Sequence, residues 1–404
     1  MTGPTSAPQQ RRLPTALAAV VALNLPLGTV YAFSVFIRPF EAELALSRAE
    51  LSFVFGLAIV AFTLGMNLAP MLYRLARAWM LVAGSALVAS AGMALAATAP
   101  GITQLALGYG VLFGLGGGAA YVLLLQGVNL MLSSHRGLVN GFIVGLYPAG
   151  AMIGAPLFGW SLGHWGLRTT LGGLAATLAA AGALAALLVA VSGMRVIAPA
   201  GGLVAPRPDS RASIFWRLWA AFFLAAASGL TVLGQAAGLV EAYGGTQTLA
   251  LFATTAITGC IAAARIGGGW LADHFSAPVV MAGAHVLALC GGGLLLAIPG
   301  PLVSVATLTM IGVGYGLVSG STAAAIGLYW GAMHYGRIAG RLYIAWCVAA
   351  VTLPILAGHL FDLSGGYTAA VMIAAAGNLL GIAIATSLPR RGVPPVPLVA
   401  SGTI

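Results

Sequence analysis

Apolar residues fill this chain in long runs, and the polar positions fall almost entirely between them. The runs cover residues 15–37, 51–73, 79–99, 102–126, 138–160, 169–192, 214–240, 247–271, 278–298, 302–330, 337–360 and 367–388. Each is close to the ~20 residues a helix needs to cross about 30 Å of hydrocarbon. The pattern predicts an all-α membrane protein with twelve transmembrane helices. Composition agrees: 60% of the 404 residues are hydrophobic and 6% are charged, against roughly 25% charged in a soluble domain.

The polar breaks are mostly short. The conspicuous one spans 193–213 and carries Pro199, Gly201, Gly202, Pro206, Pro208, Asp209 and three arginines. Six runs lie on each side. We therefore expect a six-helix bundle over 1–192, a cytoplasmic linker over 193–213 and a second six-helix bundle over 214–404. The halves also repeat. Gly114-Leu115-Gly116-Gly117-Gly118 matches Gly312-Val313-Gly314-Tyr315-Gly316 at an offset of 198, and Pro156 matches Pro354 at the same offset. Ala69 to Arg74 ends the second run where Gly268 to Asp273 ends the eighth, 199 residues on. A parallel six-plus-six repeat around a midplane site is a transporter design. Glycines on membrane helices let backbones approach closely and slide.

The net charge of +10 changes the picture only through its distribution. All 17 basic residues are arginine. With the N-terminus inside, thirteen face the cytoplasm, and Arg38, Arg48 and Arg168 face out. That is the positive-inside pattern with both ends cytoplasmic, and it excludes a nucleic-acid partner. Arg11-Arg12 precede an apolar stretch too long for a cleaved signal core. Cys260, Cys290 and Cys347 fall inside runs and read as small apolar filler. Glycine-rich runs within apolar helices do not cradle nucleotides. No Cys/His spacing suits a metal, and no serine or cysteine has an evident base partner. We expect no cofactor, no metal and no enzymatic activity.

The remaining cation is Arg265, inside the run from Thr255 to Gly267. An arginine at bilayer depth costs roughly 3 kcal/mol on insertion scales. No acidic residue lies one turn away. A buried cation without a partner in the chain points to a partner from outside, and an anionic substrate is the simplest.

The twelve runs, the repeat and the segment Gly269-Trp270-Leu271-Ala272-Asp273-His274 resemble the major facilitator superfamily. That family carries a Gly-x-Leu-x-Asp-Arg type motif after its second and eighth spans. The second copy here is intact through Asp273. The first, Tyr73-Arg74-Leu75-Ala76-Arg77, lacks the acid. The resemblance implies a cytoplasmic gate built from Asp273, Arg74 and Arg77, with Asp273 meeting helix N-termini or arginines. The segments Gly28 to Phe36, Ser47 to Ser52 and Tyr335-Gly336-Arg337 through Trp346 are similar to oxalate/formate antiporters and monocarboxylate transporters.

In those relatives an arginine of the eighth span holds the carboxylate, and Arg265 occupies that place. It lies eight residues before Asp273, a rise of about 12 Å that reaches the midplane. A guanidinium also grips a carboxylate through two parallel hydrogen bonds. Tyr31, Tyr121 and Tyr147 match cavity tyrosines of the oxalate relatives. Tyr343 and Trp346 are three apart and share a helix face. Oxalate-specific relatives place a lysine where this chain has Trp346, so one cation here favours a monoanion. Animal monocarboxylate carriers place an aspartate where this chain has Ile261. No Asp or Glu lies inside any run, and His285 is the one histidine at mid-membrane depth. Packing explains His285 better than proton relay does. The fifth-run segment Gly150 to Pro156 is similar to an exporter motif, and reads mainly as a small-residue packing face.

The expected function is secondary active transport of a small organic monoanion across the inner membrane by alternating access, by a monomer held in lipid. Two alternatives stay open on sequence alone. One is an exporter of a neutral or amphiphilic compound, with Arg265 structural. The other is a non-transporting sensor on the same fold.

Overall fold

In hydrocarbon every backbone N–H and C=O must find its partner inside the protein, so an apolar run has one ordinary solution, a helix. The computed structural model describes residues 12–197 and 210–390. The middle of the expected linker and both chain ends, with Arg11, Arg207 and Arg391, lie outside the described residues.

Among the described residues, ten helices are long and apolar enough to cross a membrane. Two are double length. Arg136–Ser192 has 57 residues, about 85 Å of helix, far more than one crossing. Its backbone leaves the helical region at Gly166, with φ of 75°. Pro301–Ala350 does the same at Gly331, with φ of 73°. Only glycine takes such angles without strain. These two residues therefore divide the fifth span from the sixth and the tenth from the eleventh. Twelve crossings result.

Three spans depart from smooth helices. The first does not run unbroken over 15–37. Helix Leu13–Gly28 tightens into a 3₁₀ turn at Thr29–Ala32 and resumes at Ser34–Leu44. Pro26 removes one ladder donor, and the Thr29 hydroxyl takes the Pro26 carbonyl at 2.6 Å. Gly28 lies so close to the Tyr147 backbone that a Cβ would overlap it. The fourth span contains a π-helical stretch, Ala106–Phe113, before Gly114–Met131. The eleventh stops at Ala350 and restarts as Leu353–Ser364, with Pro354 in the first turn of the new helix. The remaining spans are Arg48–Leu72, Ala78–Ala97, Ser210–Ala242, Gln247–His274, Ala277–Ala297 and Thr368–Thr386. Ser47 and Glu50 form a reciprocal capping box at the start of Arg48–Leu72.

The eighth span packs against the fifth-and-sixth-span helix, and the eleventh meets the second and fourth. These contacts join the two repeats most tightly at the end that carries Asp273. Gly137 and Gly269 face each other there, and a Cβ on Gly269 would overlap the Gly137 carbonyl. At the opposite end the packing is local. Ser34–Leu44 rests on the second span and the fifth-and-sixth-span helix, and Leu353–Ser364 rests chiefly on the seventh and twelfth. The conformation is closed at the Asp273 end.

Candidate functional site

Arg265 sits where three helices cross. Gly141 of the fifth span and Gly320 of the tenth both press on its carbonyl so closely that a Cβ on either would overlap it. This close approach carries the guanidinium into the middle of the protein, where the residue is 3% exposed. Nη1 donates to the Val144 carbonyl at 3.0 Å. Nη2 donates to the Tyr315 hydroxyl at 2.9 Å. Nε has no hydrogen-bond partner. The guanidinium carbon lies 5.2 Å from the Tyr315 ring centroid and 6.0 Å from that of Tyr31, within cation–π range. Among the described residues Arg265 makes no ion pair. The charge is held by dipoles and ring faces alone.

A small cavity opens beside it. All six residues singled out from the sequence, Tyr31, Tyr121, Tyr147, Arg265, Tyr343 and Trp346, line this one space. Val30, Ile59, Phe62 and Val144 complete the wall. Its volume is about 20 Å³, room for one or two waters. The cavity is thus nearly shut. Its aromatic rings interlock, Tyr31 with Trp346 at 6.2 Å and Phe62 with Tyr147 at 5.5 Å between centroids. The hydroxyls of Tyr121 and Tyr343 bond each other at 2.8 Å. That bond and the one from Arg265 to Val144 both join the first repeat to the second.

Tyr315 and Phe62 escape the sequence reading. Tyr315 lies inside the glycine repeat, where the first copy has Gly117. A large polar ring interrupting a glycine run was the available signal. Phe62 looks like any other apolar membrane residue.

The residues expected to form a gate divide. The Asp273 carboxylate accepts from the backbone N–H of Gly137 and of Leu138, each at 2.8 Å. An acid at a helix N-terminus meets orphan donors and the positive end of the dipole. Arg74 and Arg77 lie at the same end and are exposed. On the repeat that lacks the acid, Gln126 takes over. Its Oε1 accepts from the Gly336 N–H, and its Nε2 donates to the Ala332 carbonyl at 3.0 Å. Asn67 adds a bond to the Gly340 carbonyl at 2.9 Å. Sequence reading missed both amides, although a glutamine and an asparagine in apolar spans are a visible signal. His285 is fully buried away from the cavity wall. Its Nδ1 bonds the Asn378 Oδ1 at 2.9 Å, and its ring lies against Gly381.

Curated relatives resemble the chain over 70–93% of its length. Monocarboxylate transporter 13 of Rattus norvegicus is 27% identical over 398 residues, covering 93% of this chain and 88% of that protein. The Bos taurus protein of the same name is 25% identical over 391 residues, with 93% and 88% covered. The uncharacterized MFS-type transporter YhjX of Escherichia coli (strain K12) is 25% identical over 295 residues, covering 70% and 72%. Among solved structures, the transporter FucP in its outward conformation superposes with a TM-score of 0.71 at 16% identity, covering 91% of this chain and 97% of that one. The proton:xylose symporter XylE superposes with a TM-score of 0.73 at 13% identity, covering 94% and 97%. These two likenesses concern the fold. The Major Facilitator Superfamily profile matches residues 19–331, and with that match the chain belongs to this superfamily of membrane transporters.

Proposed function

We propose that this protein is a secondary active transporter of a small organic monoanion, a short monocarboxylate. The carrying observation is Arg265, a buried cation that lines the cavity, with no counter-charge among the described residues and an Nε without a hydrogen-bond partner. A carboxylate entering this space supplies the missing charge and accepts from the guanidinium. Removing two charges from water is unfavourable unless each is paired. One cation therefore suits one carboxylate, and a dianion keeps an unpaired charge. Trp346, standing where a second cation would accept oxalate, supports the monoanion reading. The rat and bovine relatives, named as monocarboxylate transporters, point to the same chemical class.

Alternating access here means rocking residues 1–192 against 214–404 about the cavity, joined through 193–213. The arginine distribution supports a cytoplasmic Asp273 end and cytoplasmic chain ends. The described conformation is then closed to the cytoplasm, and in bacterial terms the protein lies in the inner membrane. A monomer contains every residue the cavity uses.

Uptake into proteoliposomes tests the reading, and coupling is examined in the same vesicles. The apolar runs carry no carboxylate to relay protons, and His285 is packed away from the cavity. Labelled substrate should therefore enter vesicles preloaded with unlabelled substrate without a pH gradient. His285→Ala should leave that exchange within about twofold, as expected for a residue outside the binding site. Strict dependence on both a proton gradient and His285 would make the histidine a relay.

A further inference from the structure

Gln126 is buried on the fourth span, and its amide reaches across to the eleventh. Nε2 donates to the Ala332 carbonyl at 3.0 Å, with the Met333 carbonyl at 3.5 Å, and Oε1 accepts from the Gly336 N–H. Ala332 and Gly336 are four residues apart in the helix that restarts after Gly331. An α-helix ordinarily joins the N–H of one residue to the carbonyl four residues before it. The Gln126 amide therefore holds both ends of one rung of the eleventh helix, with a donor on the carbonyl and an acceptor on the N–H. Glycine at 336 makes room for it. A Cβ there would stand 3.0 Å from the Gln126 Oε1 and 3.1 Å from the Tyr73 hydroxyl. One turn further on, the Gly340 carbonyl accepts from Asn67 Nδ2 of the second span at 2.9 Å. The eleventh helix is thus held to the first repeat by neutral side-chain amides acting on its backbone.

Resting on the rocking of the two repeats described above, we propose that Gln126 is an uncharged latch that hands its bonds back to the eleventh helix on release. While the Asp273 end is closed, the amide ties the fourth span to the Ala332–Gly336 rung. When the repeats part, Gln126 leaves with the fourth span and is taken up by water. The Gly336 N–H then pairs with the Ala332 carbonyl directly. No backbone group is orphaned in either state, and an orphaned buried group is the costly outcome. A carboxylate in the same place serves only the N–H. It is an acceptor alone, and its second oxygen faces the Ala332 carbonyl oxygen with nothing to donate. A primary amide offers the one donor-and-acceptor pair that fits a helical rung from outside. Opening exchanges the bonds of the amide for one helical bond and hydration, so the latch favours closure by a modest factor. A gate that opens in every cycle requires no more.

The test measures the separation of the two repeats by electron–electron double resonance on the full chain in lipid. Spin labels go on Leu75→Cys and Phe275→Cys, exposed positions at the Asp273 end, one in each repeat. Cys260, Cys290 and Cys347 are replaced by alanine. Gln126→Met and Gln126→Glu are compared with the parent chain at pH about 9, where an introduced carboxyl is ionised. Methionine keeps the length and deletes both polar groups. Both variants should raise the ratio of separated to closed molecules about tenfold, the scale of one or two net hydrogen bonds. Hydrogen exchange at the Gly336 amide reads the hand-over, and this amide should stay protected in Gln126→Met. An unchanged ratio in Gln126→Met overturns the latch. A Gln126→Glu chain as closed as its parent shows that an acceptor alone is enough, and overturns the two-sided bond. Free exchange at Gly336 in Gln126→Met overturns the hand-over, because the helix then depends on Gln126 for its first turn. No substrate enters either readout, so the outcome is independent of the monoanion reading.

Discussion

Arg265→Ala should abolish uptake of monocarboxylates while the protein still reaches the membrane. Truncating one partner of a buried, hydrogen-bonded charge pair costs about 3 kcal/mol, roughly a hundredfold in affinity. Arg265→Lys restores the charge without the planar fork, and should remain about tenfold below the natural protein. A structural arginine predicts something else, and stability separates the two. With no counter-charge among the described residues, the guanidinium is costly to bury in the empty protein. Replacing such a group by an apolar side chain of similar volume is often neutral or stabilising. Arg265→Met should therefore melt at the same or a higher temperature than the natural protein without ligand, and transport nothing. A large drop in melting temperature together with near-normal residual transport would assign Arg265 to structure.

Gly269→Leu should cut transport by about tenfold or more without unfolding the protein. Gly269 meets the Gly137 backbone across the line between the two repeats, with no room for a Cβ. Overpacking of this kind costs about 1–3 kcal/mol or more, and here it acts on one conformation. The Asp273 end cannot close, so the Gly137 and Leu138 donors separate from their carboxylate. A cysteine placed near that end should become more reactive toward a membrane-impermeant reagent. Gly118→Leu is the contrast. Gly118 packs against the Phe62 backbone within the first repeat, again with no room for a Cβ. That contact has no open conformation to escape into, so the loss appears as poor folding and a lowered melting temperature. Similar melting and similar accessibility for the two variants would contradict a moving interface at Gly137 and Gly269.

Much of this was legible before any coordinates, for identifiable reasons. A span must be long and apolar, so the crossings show in the sequence. A lone charge at bilayer depth is costly, so Arg265 stands out. The five aromatic residues around it came mainly from the family resemblance, because a tyrosine in a membrane helix packs as readily as it binds. What stayed hidden depends on contacts between distant segments. Gly166 and Gly331 turn the chain, yet they look no different from the other glycines among 57. The missing acid of the first repeat was visible, but not its replacement. Gln126 comes from the fourth span and reaches the eleventh through space, 210 residues away in sequence. The Tyr315 hydroxyl that holds Arg265 Nη2 was masked by the glycine pattern around it.

The most direct measurement is a thermal-shift titration of the purified full chain against short monocarboxylates, dicarboxylates, and neutral and amphiphilic compounds. A ligand that binds only the folded protein raises its melting point with concentration. Short monocarboxylates should raise it, the effect should vanish in Arg265→Met, and oxalate and neutral amides of the same size should leave it unchanged. A shift with a neutral or amphiphilic compound that survives in Arg265→Met, and none with any monocarboxylate, would contradict Arg265 as an anion site.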